Sequence, residues 1–202
     1  MITPPSHPAS FSAPDAPDDA WLVAVDLQNV FRDEDSPWTT PRFDSAAETT
    51  VRLAQAFGGR AVFTRFVAPS HPAGAWETYY DEFPFALQPS GSRAYRLTDR
   101  VAGVAAAHHT VSETTFGKWG PQLAAITGPD PHLVVCGVAT DCCVLSTVLA
   151  AADAGAHVTV VTDACAGSSD EAHQKALDVM DLYAPLVGST TTDELLATRA
   201  RG

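Results

Sequence analysis

Short apolar runs alternate with helix-like patterns along most of the chain. Four runs are typical of strands buried on both faces of a parallel sheet: WLVAV at 21–25, RAVFTRF at 60–66, HLVVC at 132–136 and HVTVVT at 157–162. Helical spacing of apolar residues follows at 46–57, 119–126, 140–154 and 169–180, and Gly58 and Gly155 end the first and third of these segments. The sequence therefore predicts strands and helices in regular succession.

Weaker patterns complete this order. Thr110–Ser112 predicts a strand after an Ala-rich helix, and Leu186–Val187 predicts a last strand before a C-terminal helix that begins at Thr191 or Thr192. The segment Val67–Gly91 has no strong period, which indicates a functional loop. We expect an α/β fold with three α/β/α layers and a mostly parallel, doubly wound (Rossmann-like) sheet of roughly six strands.

Length, composition and charge limit the number of domains and the kinds of binding partner. The 202 residues are 46% hydrophobic, which suits a single domain, and we place it at 20–199. Residues 1–19 are rich in Pro, Ser, Ala and Asp and predict a flexible tail without the features of a secretory signal. No apolar stretch suits a bilayer, and a net charge of −12 repels a phosphate backbone. We expect a soluble protein with neither a membrane nor a nucleic acid as partner.

The four cysteines, at 136, 142, 143 and 165, match neither a disulfide framework nor the paired motifs of a structural zinc site. We therefore expect a reducing, cytoplasmic location. Cys143 lies in the first turn of the helix predicted from Thr140, where unpaired N–H groups favour a thiolate and so a lowered pKa. Cys142 points about 100° away on an α-helix, so only one of the two is expected to face a crevice.

Ligands of doubly wound sheets bind beyond the carboxyl ends of the strands, where the strand order reverses. Three polar features follow predicted strands: Asp26, Lys118 and the segment 138–143. From residue type alone, Asp26 is either a general base or a structural carboxylate, and Lys118 is either catalytic or a solvated surface charge. The topology is the reason to expect them at one edge of the sheet.

Three segments resemble the signature regions of the isochorismatase-like superfamily, in its cysteine hydrolase branch. They are VAVDLQNVF at 23–31, TTFGKWG at 114–120 and GVATDCCVLST at 137–147, in the order and spacing of that family. The resemblance implies a catalytic triad of Asp26, Lys118 and Cys143, and it selects Cys143 over Cys142 as the nucleophile. It also implies a cis peptide between Val138 and Ala139, and a homo-oligomer such as a dimer or tetramer.

The implied reaction is hydrolysis of a carbon–nitrogen bond of a small amide by water. Asp26 would take the thiol proton, Lys118 would stabilise the thiolate, and the thiolate would attack the carbonyl carbon. The N–H groups of Ala139 and Cys143 would stabilise the oxyanion. Because isochorismatases that cleave a vinyl ether can lack the cysteine, the presence of Cys143 favours amide, carbamoyl or ureido substrates.

The sequence departs from the metal-binding members of the superfamily. Nicotinamidases bind a metal through an Asp-x-His pair after the second strand, and this chain has Thr64-Arg65-Phe66 there. The histidines at 71, 108 and 109 have no carboxylate at ligand spacing. We therefore expect no metal and no other cofactor.

Aromatic and basic residues of the crevice loops are candidates for binding the substrate: Phe31, Arg65, Trp76, Tyr79, Tyr80 and Trp119. Each has packing as its alternative role. Arg65 carries a specific hypothesis, because a guanidinium can hold a substrate carboxylate in a bidentate pair. An ion pair with an acidic residue of the protein is the alternative.

Three other functions compete with amide hydrolysis. The chain could be an ether hydrolase of the isochorismatase type, a non-catalytic binding or scaffold protein, or a thiol redox protein that uses Cys142 and Cys143. Chemically competent residues at all three triad positions argue against the scaffold. The redox hypothesis predicts equal effects of replacing either cysteine, whereas the hydrolase hypothesis gives the essential role to Cys143.

Overall fold

The computed structural model describes residues 16–201 and is built on one parallel sheet of six strands. The strands lie in the order β3-β2-β1-β4-β5-β6. Their bounds are β1 Trp21–Val25, β2 Ala61–Phe66, β3 His109–Glu113, β4 His132–Val138, β5 His157–Ala166 and β6 Val187–Thr190. The predicted doubly wound α/β fold is confirmed, and its strand order reverses between β1 and β4.

Helices cover both faces of the sheet, as a three-layer fold requires. The longest, α2, packs on β4 and β5 and also contacts α4 and α8, while α6 and α7 pack against each other and against β5. The helices are α1 Asn29–Arg32, α2 Phe43–Phe57, α3 Ala75–Glu82, α4 Asp99–Ala105, α5 Pro121–Thr127, α6 Leu145–Asp153, α7 Asp170–Asp181 and α8 Thr192–Arg199. None of the helices within residues 16–201 is both long and apolar enough to cross a bilayer.

The neighbouring strands β1 and β4 pair along the whole length of β1, from Trp21 opposite Leu133 to Val25 opposite Gly137. Gly137 has a φ of +115°, and a Cβ there would lie 2.1 Å from the Val25 carbonyl oxygen. Only glycine therefore permits the two backbones to approach so closely at this point. The ends of β1 and β4 are thereby brought side by side, which places Asp26 next to the segment that follows Val138.

The structure also differs from the sequence-based boundaries. The segment predicted as a loop, Val67–Gly91, contains the helix α3, whose Tyr80 is buried. Part of the predicted tail is packed, since Ala16 is buried and the Pro17 carbonyl accepts hydrogen bonds from Ala20 N and from the Arg199 side chain. The remainder of that tail, residues 1–15, lies outside the described residues.

Candidate active site

A fully buried ion pair joins the first two predicted catalytic residues. Asp26 Oδ2 lies 3.0 Å from Lys118 Nζ, and neither side chain is exposed to solvent. Asp26 Oδ1 accepts a hydrogen bond of 2.7 Å from Thr64 Oγ1, and the same hydroxyl accepts from Asp26 N at 3.2 Å. Within the described residues, Asp26 Oδ2 accepts no hydrogen bond, so its interaction with the Lys118 ammonium is electrostatic. A lone pair of Oδ2 is therefore free to accept a proton.

Lys118 is held by its backbone as well as by its ammonium group. Its Nζ donates to the Thr115 carbonyl at 2.7 Å and lies 5.2 Å from the centre of the Phe66 ring. Its backbone N–H donates to Thr147 Oγ1, and that hydroxyl donates to the Cys143 carbonyl at 2.6 Å. Thr147 therefore links the backbone of the lysine to the backbone of the cysteine, and the interpretation of Lys118 as a surface charge is wrong.

The third motif forms an unusual turn at the end of β4. The Val138–Ala139 peptide bond is cis, and residues 140–144 form one π-helical turn before α6 begins. The Ala139 carbonyl accepts hydrogen bonds from Cys142 N at 3.0 Å and from Val144 N at 3.1 Å. The N–H of Ala139 donates to no acceptor among the described residues, which leaves it available to a ligand.

Cys143 is buried in this turn, and its pKa is raised well above the ordinary value. The hydrogen bond with the Cys142 thiol raises it most, followed by burial and the Asp26 carboxylate, while the Lys118 ammonium lowers it. The same thiol–thiol hydrogen bond lowers the pKa of Cys142. These contributions oppose the lowering of the Cys143 pKa predicted from its position at a helix start, so the thiol needs a base to lose its proton.

Replacement of Cys142 by alanine is expected to lower the pKa of Cys143, because it removes the largest contribution to the raised value. The rate of Cys143 alkylation by iodoacetamide, followed by peptide mass spectrometry, should reach its midpoint at a lower pH than in the wild type. A Cys165→Ala variant is the matched control, since Cys165 is a buried thiol whose pKa is raised mainly by burial. An unchanged midpoint in Cys142→Ala would show that the neighbouring thiol does not control Cys143.

A cavity of about 230 Å³ opens in front of Cys143. One wall is aromatic and consists of Phe31, Trp38, Phe66, Tyr79 and Phe116. The remaining lining residues are Pro37, Thr39, Thr40, Ala139, Asp141, Cys142, Cys143 and Ser168. Both adjacent cysteines line the cavity, so the expectation that only one of them can do so is wrong. The two residues are adjacent in the π-helical turn.

The predicted substrate-binding residues separate into two groups. Phe31 and Tyr79 line the cavity. Within the described part of the chain, the other four are not among the lining residues: Arg65, Trp76, Tyr80 and Trp119.

The positions of these four follow from their elements. Arg65 donates through Nε to Ser112 Oγ at 3.1 Å, because alternate residues of β2 point to opposite faces and Thr64 points to Asp26. Trp76 and Tyr80 pack behind the wall, where the Trp76 ring contacts Tyr79 and Phe116. Trp119 is partly buried and packs against the hydrophobic core.

Several supporting residues were not singled out from the sequence. The buried Gln28 side chain donates to the carbonyls of Phe66 and Tyr95 and accepts from Phe66 N, each at 2.8 Å, and so joins the end of β2 to the chain after Gly91. Asp141 accepts from both the N–H and the hydroxyl of Ser168. Gln28 lies inside the first of the three quoted motifs and Asp141 inside the third, which was the only indication of their role.

The last three residues of β2 offer no set of metal ligands. Thr64 is hydrogen-bonded to Asp26, Arg65 is bonded to Ser112, and Phe66 contributes a ring. Across residues 16–201, no three side chains of His, Cys, Asp or Glu gather in a way that could hold a metal ion.

Fold and site together define the class of protein: a doubly wound α/β domain with a buried carboxylate–ammonium pair and a cysteine at the point where the strand order reverses. The chain belongs to the isochorismatase family, since the family model for the isochorismatase domain matches residues 20–193. A search of curated proteins found no relative with significant similarity.

Solved structures share the fold at low sequence identity. A cysteine hydrolase from Pseudomonas syringae pv. phaseolicola aligns with a TM-score of 0.78 and 15% identity, over 97% of this chain and 99% of the other. A nicotinamidase/pyrazinamidase from Bacillus subtilis gives 0.69 and 21%, over 85% and 98% of the two chains. A nicotinamidase/pyrazinamidase from Acinetobacter baumanii gives 0.69 and 21%, over 89% and 99%.

Proposed function

We propose that this protein is a cysteine-dependent hydrolase that cleaves an amide, carbamoyl or ureido bond of a small molecule through a thioester on Cys143. The observation that carries this proposal is the buried Asp26–Lys118 pair, whose charges act on the thiol of a cysteine that lines a cavity. The structural neighbours described as a cysteine hydrolase and as nicotinamidase/pyrazinamidases support it.

The first step transfers the thiol proton of Cys143 to Asp26. Oδ1 is occupied by Thr64, so Oδ2 is the oxygen that receives the proton. Protonation of Asp26 removes a negative charge that raises the pKa of Cys143, and the Lys118 ammonium then stabilises the thiolate. Proton transfer and thiolate formation are thus coupled in the buried site.

The thiolate attacks the carbonyl carbon of the substrate, and the oxygen becomes an oxyanion. The N–H groups of Ala139 and Cys143 are the proposed donors to this oxygen, and the Ala139 N–H is available for that role. Asp26 returns its proton to the leaving nitrogen as the carbon–nitrogen bond breaks. Water activated by the same carboxylate then hydrolyses the thioester and restores the thiol.

We further propose that the reaction proceeds without a metal, because Thr64, Arg65 and Phe66 supply neither a carboxylate nor an imidazole at the end of β2. The carbonyl is then polarised by backbone N–H donors alone. The turn at residues 138–144 therefore has to stabilise the oxyanion by itself.

Ammonia release from a panel of primary amides, ureas and carbamoyl acids tests the proposal. The wild-type protein should release ammonia from at least one of them, and iodoacetamide-treated protein is the control. Added hydroxylamine should divert the acyl group to a hydroxamate, because it competes with water for the thioester. Ammonia release that never yields hydroxamate would argue for direct attack by water, and no release from the whole panel would contradict amide hydrolysis.

A further inference from the structure

The charged groups in and beside the cavity indicate which class of amide it can bind. Lys118 is the only cation of the triad, and it is paired with Asp26. Asp141 adds a carboxylate to the cavity lining, and no Lys or Arg is present among the described lining residues. Asp26 and Asp141 against Lys118 give the site an excess of one negative charge when Cys143 is a thiol.

The cationic side chains near the site are engaged elsewhere. Arg65 bonds to Ser112, and the exposed Arg42 pairs with Asp170 at 2.6 Å. His173 contacts Thr140 at 2.8 Å, and burial lowers its pKa, which favours the neutral ring. Among residues 16–201, no Lys or Arg lines the cavity to pair with a substrate carboxylate, and Arg65 is bonded to Ser112 instead.

The aromatic wall is continuous and centred on Trp38. Its ring stacks on Phe31 at 6.0 Å with an interplanar angle of 12°, and it meets Tyr79 at 6.1 Å and Phe66 at 5.8 Å. Phe116 extends the wall from Phe66 at 6.2 Å and from Tyr79 at 5.5 Å. The faces of such rings carry negative partial charge and attract ammonium groups, most strongly where water is excluded.

We propose that the cavity binds a small amide whose remaining part carries a positive charge, such as a substituted ammonium, and disfavours anionic amides. This inference rests on the proposed function, because it names the substrate class of the same site. Trp38 supplies the ring surface for the cation, and Asp141 supplies the compensating charge. Both are specificity-determining residues rather than catalytic ones.

Two amides of nearly identical shape provide the test. The amide of trimethylglycine carries a quaternary nitrogen where tert-butylacetamide carries a carbon, and malonamate is the anionic comparison. Calorimetric titration of Cys143→Ala, which cannot turn the amides over, measures binding independently of catalysis. The cation is expected to bind at least about tenfold more tightly than its neutral isostere, and malonamate more weakly than either.

Further variants, made in the Cys143→Ala background, test which residues cause the preference for the cationic amide. Asp141→Asn is expected to reduce the ratio of cation to neutral affinity at least about threefold while leaving the affinity for tert-butylacetamide nearly unchanged, because the amide can keep hydrogen bonds to Ser168. Trp38→Leu should also reduce the ratio. Arg65→Ala is the matched control and should leave all three affinities unchanged.

Equal affinities for the two isosteres, tighter binding of the neutral or anionic amide, or no detectable binding of the cation would each overturn the inference. These outcomes are separate from failure of the proposed function. Ammonia release from neutral amides by the wild-type protein would uphold the hydrolase even if the charge preference were absent.

Discussion

Replacement of Cys143 by alanine is expected to lower kcat/KM for amide hydrolysis at least about ten-thousandfold, to the background rate. The reason is that no thioester can form, while the Asp26–Lys118 pair and the cavity stay intact. Ammonia release on the best amide of the panel measures the loss. The folded state is checked by the unfolding midpoint, which a single buried thiol should change little.

Cys142→Ala is the matched control, because Cys142 lines the same cavity one residue away. Its activity should stay within about tenfold of the wild type, since no step of the mechanism uses its thiol. Equal losses in the two variants would favour the thiol redox hypothesis. Full activity in Cys143→Ala would contradict the covalent mechanism.

Replacement of Lys118 by methionine is expected to reduce the free energy of unfolding by about 3–5 kcal/mol, because it leaves the Asp26 carboxylate buried without a compensating charge. Urea unfolding measures the effect. The double variant Asp26→Asn/Lys118→Met should recover most of the loss, since it removes both buried charges and keeps a hydrogen-bond acceptor for Thr64.

An exposed ion pair provides the comparison for Lys118. Arg32 and Asp44 are 2.7 Å apart, with 48% and 75% of their side chains exposed. Arg32→Met should cost less than about 1 kcal/mol, because solvent screens this pair. If Lys118→Met lowered the free energy of unfolding by no more than Arg32→Met does, the buried pair would not contribute to stability as argued.

The sequence predicted the order of the elements because burial in a parallel sheet leaves a direct trace in the chain. WLVAV and HLVVC are buried on both faces and can be recognised from a few residues each. The aromatic wall left no such trace. In the sequence, Trp38, Phe66 and Phe116 look like ordinary core residues. Only their position beside the cavity in the folded protein distinguishes them.

The catalytic candidates illustrate the same limit. Motif resemblance indicated Asp26, Lys118 and Cys143, but not that Thr64 would occupy one carboxylate oxygen or that Thr147 would join two of the motifs. These contacts depend on strand and helix pairing across tens of residues, which local periodicity does not encode. The position of Arg65 was decided by the alternation of side chains along β2 once Thr64 faced Asp26.

The sequence by itself determined the fold class, the family and the chemical groups available to the site, because strand and helix periods and the three motifs are properties of consecutive residues. Tertiary structure alone decided which groups meet. It buried the Cys143 thiol and brought the Asp26 carboxylate near it, both of which raise its pKa, and it left a cavity with aromatic walls and a carboxylate. Burial and electrostatic fields arise from residues that are distant in the chain, so they exist only in the folded protein.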